Sequence, residues 1–232
     1  GSIHPMTTLA VARRQLQDRL DDVQGRRWGP SMLNTWINEG TRDITRRAEC
    51  NQSVTDLAVP ASTQTNSLST LSNLLRVHRV EWRTTGSNQW VALEPRDINA
   101  MDAVWYGSQD TKSTPQVFTL KGTPPALSII FYPTDPTGGT ARIWWWRLST
   151  EAVADADVID LPDGWHDVAL DYAEYRALRR DSDPRWKEAF ELYKDNLASL
   201  VEQTRRFTDQ NGMVTPDASG LPAWIYDDGY GW

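Results

Sequence analysis

Residues 161–197 read LPDGWHDVALDYAEYRALRRDSDPRWKEAFELYKDNL and contain the clearest helical pattern in the chain. They carry apolar residues at three- and four-residue steps, the spacing that gives a helix one buried face. The more regular of the two stripes consists of Trp186, Phe190, Tyr193, Leu197, Leu200 and Thr204. Between the stripes, Asp183 and Pro184 are typical of a helix N-cap and a first helical position. The sequence therefore predicts two helices, with the second stripe in a core against the helix that carries Trp165 and Tyr172.

Two more helices are predicted near the start of the chain. Residues 7–23, TTLAVARRQLQDRLDDV, place apolar side chains at helical spacing from Leu9 to Val23. After the break GRRWGP, Ser31 is a candidate N-cap for a second helix. Gly40 lies on the apolar face of that helix, where glycine costs about 1 kcal/mol relative to alanine. We therefore expect another helix to approach closely at Gly40.

Between the helical sections the apolar period changes to two. The alternating runs are LLRVHRVEW (74–82), QWVAL (89–93), QVFTL (116–120) and ALSIIFYP (126–133). Turn-forming residues separate these runs, as in a small antiparallel sheet or sandwich. The Ser- and Thr-rich stretch PASTQTNSLSTLSN (60–73) predicts a surface loop.

The resulting fold class is α+β. Residues 7–50 and 160–207 are expected to form a helical bundle of two N-terminal and two C-terminal helices. Residues 54–150 are expected to form an inserted antiparallel β module. Met6 resembles a natural start, so residues 1–6 are treated as an N-terminal extension, and residues 208–232 as an extended C-terminal tail.

The segment RIWWWR at 142–147 allows three interpretations: a sugar platform, a base-stacking surface, or a strand with one face in a core and the other in an interface. In a strand, Ile143 and Trp145 share one face and Trp144 and Trp146 share the other, so three rings cannot form one platform. Alternation favours the third interpretation. The second face is expected to be covered either by the long loop that follows the strand or by a neighbouring subunit, so Trp144 and Trp146 are candidate interface residues. The flanking arginines are placed to stack on the rings.

The segment from residue 208 onward is acidic and aromatic. It contains four Asp and no Lys or Arg. Such a segment is expected to be disordered alone and to need a groove for its aromatic anchors, on a partner or on its own body. The candidate interface residues here are Trp224, Ile225, Tyr226, Tyr230 and Trp232.

The sequence assigns no catalytic, cofactor-binding or metal-binding residue. The net charge of −7 argues against a dedicated nucleic-acid binder, and the single cysteine, Cys50, excludes an internal disulfide and a thiolate metal cluster. Phosphate-binding loops, HExxH and GxSxG do not occur, and the acidic stretch at 155–164 lacks the pattern of a calcium loop. No apolar run reaches the roughly 18 residues of a membrane span, so no membrane partner is expected.

Four segments resemble the head-to-tail adaptor (connector, or head completion) proteins of tailed bacteriophages. They are WGPSMLNTWINEGTRDITRRA (28–48), LLRVHRVEW (74–82), FYPTDP (131–136) and the stretch at 161–197. In that family a Leu-Pro pair precedes a Trp-His helix start, and an Asp-rich turn leads to a long final helix. The resemblance covers roughly residues 7–207, and its motifs are packing motifs rather than catalytic ones.

This resemblance implies a structural virion protein and not an enzyme. It implies a ring, typically of twelve copies, that joins the portal protein of the head to a tail or nozzle protein, with tail fibres as a further possible partner. Such a ring, made in the host cytoplasm and placed at the head–tail junction, extends the channel for double-stranded DNA and helps to retain the genome. Two alternatives remain: a carbohydrate-binding or tail-fibre-type β module, and a tail-associated cell-wall hydrolase.

Overall fold

The computed structural model of the chain describes residues 7–99 and 113–210, except for the side chains of 207–210. These residues contain four α-helices and two β-sheets, which confirms the α+β fold class. The chain divides into two compact units. Residues 52–147 form the β unit, and the described residues on either side of them form the helical unit.

The helical unit contains four helices, of which two precede the β unit in the sequence and two follow it. They are α1 (Leu9–Arg19), α2 (Pro30–Ala48), α3 (His166–Arg180) and α4 (Trp186–Gln210). Helix α4 ends at Gln210 and so includes the first three residues of the expected tail, 208–210. Helix α3 is central: its buried side chains occur on all sides and join both apolar cores of the unit.

Three of the expected helix boundaries are wrong. Helix α4 begins at Trp186 and not at Pro184, the expected first helical position. Helix α1 ends at Arg19, because Asp21 adopts a left-handed backbone conformation, and Val23 is 61% exposed instead of buried. Helix α2 begins two residues earlier than a Ser31 cap would allow, with Gly29 at the N-cap and Pro30 in the first turn. Proline suits that position because its missing N–H would have no partner within the helix.

The first core of the helical unit joins α1, α2 and α3. Its fully buried members include Leu9, Leu16, Leu33, Ile37 and Leu170. The second core joins the C-terminal half of α2 to α3 and α4 through Ile44, Val168, Tyr172, Tyr193, Leu197 and Leu200. The predicted packing of the α4 stripe against α3 is confirmed, but Trp186 and Phe190 are only half-buried at its edge.

An ion pair between an exposed arginine and a buried carboxylate ties α1 to α3 inside the helical unit. The Asp171 carboxylate is buried and accepts a hydrogen bond from Arg19 Nη1 at 2.6 Å. Its second oxygen accepts from Asn196 Nδ2 of α4 at 2.8 Å. Both oxygens therefore have donors, which offsets the cost of burying the charge.

The β unit contains two four-stranded sheets. The first sheet is antiparallel, in the order β1 (Gln52–Val59), β8 (Gly139–Arg147), β3 (Leu74–Thr84), β4 (Val91–Ala92). The second has the order β2 (Thr65–Ser67), β7 (Ser128–Tyr132), β6 (Val117–Lys121), β5 (Glu94–Pro95). Because β5 runs parallel to β6, the expectation of a wholly antiparallel module is wrong for that pair. The first and last strands of the unit are neighbours, with Gln52 opposite Trp146.

One core lies between the two sheets. Val80, Trp82, Ala141, Ile143 and Trp145 enter it from the first sheet, and Phe118, Ile129 and Phe131 from the second. The segment 60–73 is not a plain surface loop as expected: it contributes strand β2, and Leu68 is 3% exposed within this core. Leu68 directly follows β2, and its side chain is part of the core between the two sheets.

A buried carboxylate fixes one end of this sandwich. Asp135, in the segment FYPTDP, accepts hydrogen bonds from Thr84 Oγ1 (2.7 Å), Thr137 N (2.9 Å), Thr137 Oγ1 (2.7 Å) and Trp82 Nε1 (3.3 Å). Burial opposes the charge on Asp135, but these donors outweigh burial and lower its pKa. Asp135 thereby connects the turn before β8 to the end of β3.

Candidate functional site

Strand β8 separates the three tryptophans as the alternation predicts. Ile143 and Trp145 lie in the core between the sheets, and Trp144 lies on the opposite face of the first sheet. The indole of Trp145 donates from Nε1 to Thr55 Oγ1 of β1 at 3.2 Å. Its polar atom is therefore satisfied while its ring fills the core, and Trp145 has a packing role.

Trp144 is half-buried on the outer face of the first sheet, the face turned away from the core. It stands opposite Val54 of β1 and Arg79 of β3. Its Nε1 donates to Glu81 Oε2 at 3.3 Å, and Glu81 Oε1 is 2.6 Å from Arg79 Nη2. Glu81 thus fixes both an indole and a guanidinium group at this surface.

Trp146 is covered within its own chain. It is 8% exposed, and its ring centroid is 5.9 Å from that of His78. Burial, and then the charges of Arg76 and Arg79, lower the pKa of His78. His78 is therefore neutral at pH 7, and Trp146 offers less surface to a partner than Trp144 does.

A second tryptophan completes the outer face. Trp90, just before β4, is half-buried beneath two guanidinium groups: the Arg142 Cζ is 4.1 Å from its ring centroid and the Arg83 Cζ is 4.6 Å away. Arg142 stacks on Trp90 rather than on the triplet, so the expected stacking of that flanking arginine on its neighbours is wrong. Register explains this, because Arg142 pairs with Glu81 of β3 and reaches past it toward β4.

Charge on the outer face is opposite in sign to that of the whole chain. Its charged residues are four arginines and two acids: Arg76, Arg79, Arg83, Arg142, Asp56 and Glu81. Arg142 donates to both oxygens of Asp56, at 2.8 and 3.0 Å, and this pairing lowers the pKa of Asp56. An excess of two positive charges therefore remains on this face of a protein whose net charge is −7.

The outer face combines the features of a protein contact surface. Arginine and tryptophan are the residue types most enriched at the energetic centres of interfaces. Beside them Val54 is 45% exposed, an apolar side chain in the middle of a polar face. Stacking and ion pairing hold the guanidinium groups in place, so little side-chain entropy is lost when a partner binds.

Sequence reasoning missed Trp90, Arg83, Glu81 and Asp56. Trp90 was recognised only as part of a short strand, and its approach to Arg142 depends on the strand order β8–β3–β4. One local signal was available: Arg83 and Trp90 flank the turn TTGSNQ, and a hairpin brings such residues together.

The five predicted tail residues, Trp224, Ile225, Tyr226, Tyr230 and Trp232, lie outside the described residues, as does the extension at 1–6. Within the part that the structure describes, no group of three or more His, Cys, Asp or Glu side chains is arranged to hold a metal ion. Among those same residues, no helix has both the length and the apolar composition of a membrane span.

Comparison with known proteins identifies the family of the chain. The model of the family described as SU10 adaptor protein matches residues 6–227, which is nearly the whole chain. A search of curated proteins found no match. The match includes both the helical segments and the β unit with its outer face. The chain therefore belongs to the SU10 adaptor protein family, and it is an adaptor-type structural protein of a bacteriophage.

Proposed function

We propose that this adaptor assembles as a ring, of twelve copies, between the portal protein of the phage head and a tail or nozzle protein. The family match over residues 6–227 carries the proposal. In this position the ring extends the channel for double-stranded DNA and helps to retain the packaged genome. The net charge of −7 supports a wall along which DNA slides without binding tightly.

In this proposal the outer face of the first sheet contacts the neighbouring subunit of the ring. A closed ring requires two different surfaces on each subunit, because contacts in a ring of more than two copies are head-to-tail. The excess positive charge around Trp90 and Trp144 favours an acidic surface as its complement, and the chain as a whole is acidic.

Light scattering on purified protein, alone and mixed with purified portal protein, tests the assembly. We expect a defined ring to form on the portal, and imaging of intact particles should place that ring at the head–tail junction. An adaptor that stays monomeric with portal protein at micromolar concentrations would contradict the proposed function.

The outer face has its own test. The double variant Arg83→Ala, Trp90→Ala should fold and lose ring formation by at least about tenfold in apparent affinity, because it removes two central contact residues. Leu192→Ala is the control, because Leu192 is an exposed side chain of α4. The Leu192→Ala protein should assemble normally. Normal assembly of the double variant would exclude the outer face as a subunit contact.

A further inference from the structure

A cleft in the helical unit places arginines among aromatic rings. Its volume is about 540 Å³, and its lining consists of Trp36, Tyr172, Tyr175, Arg176, Arg179 and Arg180. The three aromatic residues are buried at its wall, whereas Arg179 and Arg180 are exposed at its rim. Such a lining suits a ligand that is both aromatic and anionic.

The three arginines of this cleft differ in whether a carboxylate pairs with them. Arg176 Nη1 is 2.9 Å from Glu39 Oε2, so its charge is paired. Arg179 donates to the hydroxyl of Tyr175 at 2.7 Å, and Arg180 Nη1 is 2.7 Å from the sulfur of Met32. In residues 7–99 and 113–210, neither Arg179 nor Arg180 has a carboxylate partner.

Tyr172 does not neutralise these charges. Burial raises the pKa of Tyr172 to about 12, so its hydroxyl group is uncharged at physiological pH. The Arg179 guanidinium is also 5.7 Å from the ring of Trp186 at the start of α4. The cleft therefore presents two exposed cations above an aromatic wall.

We propose that this cleft binds residues 223–232 of a neighbouring copy of the chain. That segment, AWIYDDGYGW, contains four aromatic residues, the adjacent acids Asp227 and Asp228, and no basic residue. Arginine pairs with carboxylates through two parallel hydrogen bonds and stacks on aromatic faces, so Arg179 and Arg180 match both features of the segment. The inference rests on the proposed ring and supplies a second contact between its adjacent subunits.

The geometry of α4 favours a neighbouring copy over the same chain. Helix α4 starts beside the cleft, where Trp186 packs on Tyr175 with 6.3 Å between ring centroids. It runs antiparallel to α3, because Asn196 reaches Asp171 farther along the pair. Measured along α4 from Gln210, the cleft therefore lies about 26 Å away at Tyr172, which packs on Tyr193, and about 36 Å away at Arg179, which lies beside Trp186.

The twelve residues 211–222 would have to span that distance for binding within one chain. Any twelve-residue segment reaches at most about 43 Å when fully extended, and a random coil of that length averages about 20 Å from end to end. Binding to the cleft of the same chain would therefore require these residues to be more extended than their random-coil average, which lowers the effective concentration of the segment.

Site-specific cross-linking in the full-length chain tests the proposal. A photoreactive amino acid replaces Tyr226, and two versions of the protein with different affinity tags are mixed and assembled on portal protein. We expect cross-links between differently tagged copies, located by mass spectrometry on the residues around Arg179 and Arg180. The double variant Arg179→Glu, Arg180→Glu should lower their yield by at least about tenfold.

Two further variants separate this effect from a loss of folding. The matched control is Arg42→Glu, Arg46→Glu, because both residues are exposed on α2 and this pair changes the net charge by the same amount. Adding Asp227→Arg, Asp228→Arg to the cleft variant restores opposite charges and should restore the cross-link. A protein that fails to fold would not be rescued in this way.

The remaining outcomes overturn the proposal. Cross-links within one chain, cross-links to portal protein, or ring assembly with no cross-link to the cleft would each exclude the neighbouring cleft while leaving the adaptor function intact. Binding of duplex DNA that depends on Arg179 and Arg180 would assign the cleft to nucleic acid. Failure to assemble on portal protein at all would remove the proposed function, and this inference with it.

Discussion

Gly40 of α2 lies against Tyr172 of α3 so closely that a Cβ atom on Gly40 would be 3.0 Å from the Cβ of Tyr172. The same Cβ would be 2.9 Å from the backbone oxygen of Ala169. Real Cβ contacts are longer, so the two helices could not keep this distance with any side chain at position 40. The close contact expected from the sequence at Gly40 is confirmed.

Gly40→Ala should therefore destabilise the protein although alanine is the better helix former. We expect a loss of about 1–3 kcal/mol from overpacking, which exceeds the gain of about 1 kcal/mol in helix propensity. Urea unfolding followed by circular dichroism measures the difference. Thr35→Ala, at an exposed position of the same helix, should change stability by less than about 0.5 kcal/mol. A stabilised Gly40→Ala protein would contradict the close contact.

The buried Asp171 should contribute far more to stability than its exposed neighbour Asp167. Both carboxylates contact the guanidinium of Arg19, at 2.6 and 3.3 Å, but the Asp167 side chain is largely exposed. Asp171→Ala removes the buried acceptor that Arg19 and Asn196 share and should cost about 2–4 kcal/mol. Asp167→Ala should cost less than about 1 kcal/mol in the same unfolding assay. Equal effects would mean that burial does not distinguish the two pairs.

Asp135 should make the β unit sensitive to acid. Its pKa is lower in the folded than in the unfolded chain, so its charge stabilises the fold above the ordinary value of 3.8. That contribution is lost as the pH falls from about 3.8 through the lower pKa of the folded state. Asp135→Asn should cost about 1–3 kcal/mol at pH 7, because an amide cannot accept from all four donors.

The pH series supplies the check on Asp135. The difference in unfolding free energy between wild type and Asp135→Asn should shrink steadily below pH 4. Thr35→Ala, an exposed substitution that removes no titratable group, should give a difference that does not change with pH. A difference that stays constant down to pH 2 would show that the charge of Asp135 is not what stabilises the fold.

Two tryptophans of the triplet should have different roles: Trp145 should stabilise the fold, and Trp144 should contribute to assembly. Trp145→Ala removes a buried ring from the core of the β unit and should cost about 3–5 kcal/mol. Trp144→Ala removes a half-buried ring and one hydrogen bond, so it should cost less than about 1.5 kcal/mol. In light scattering with portal protein, Trp144→Ala should nevertheless weaken assembly. A Trp144→Ala protein that unfolds as readily as Trp145→Ala would contradict this division.

Periodicity predicted the parts of the fold in which one side chain decides one contact. The stripe on α4, the two faces of β8 and the close approach at Gly40 all follow from local spacing. Local spacing could not predict Leu68, because one leucine in a Ser- and Thr-rich segment carries no period. It also could not place Trp90 over Arg142, since 52 residues separate them and the contact depends on strand order.

The cleft of the helical unit was hidden for a similar reason. Arg176, Arg179 and Arg180 near the end of α3 fit the preference of helix C-termini for positive charge, and the sequence offered no reason to look further. Only the packing of α2 against α3 brings Trp36 into the same space. The tyrosines and arginines of α3 become the wall of a cleft only when Trp36 of α2 packs beside them.

The pairing of Gln52 with Trp146 has a consequence for how such a chain can change over time. The polypeptide enters and leaves the β unit on adjacent strands, about 5 Å apart. A loop of two or three residues can close a gap of that size. The 96-residue β unit, Gln52–Arg147, is continuous in sequence, and its two ends are neighbours in the fold. Recombination at the two ends of its coding sequence can thus delete or exchange the whole unit. Phages can in this way diversify one part of an adaptor while inheriting the remainder unchanged.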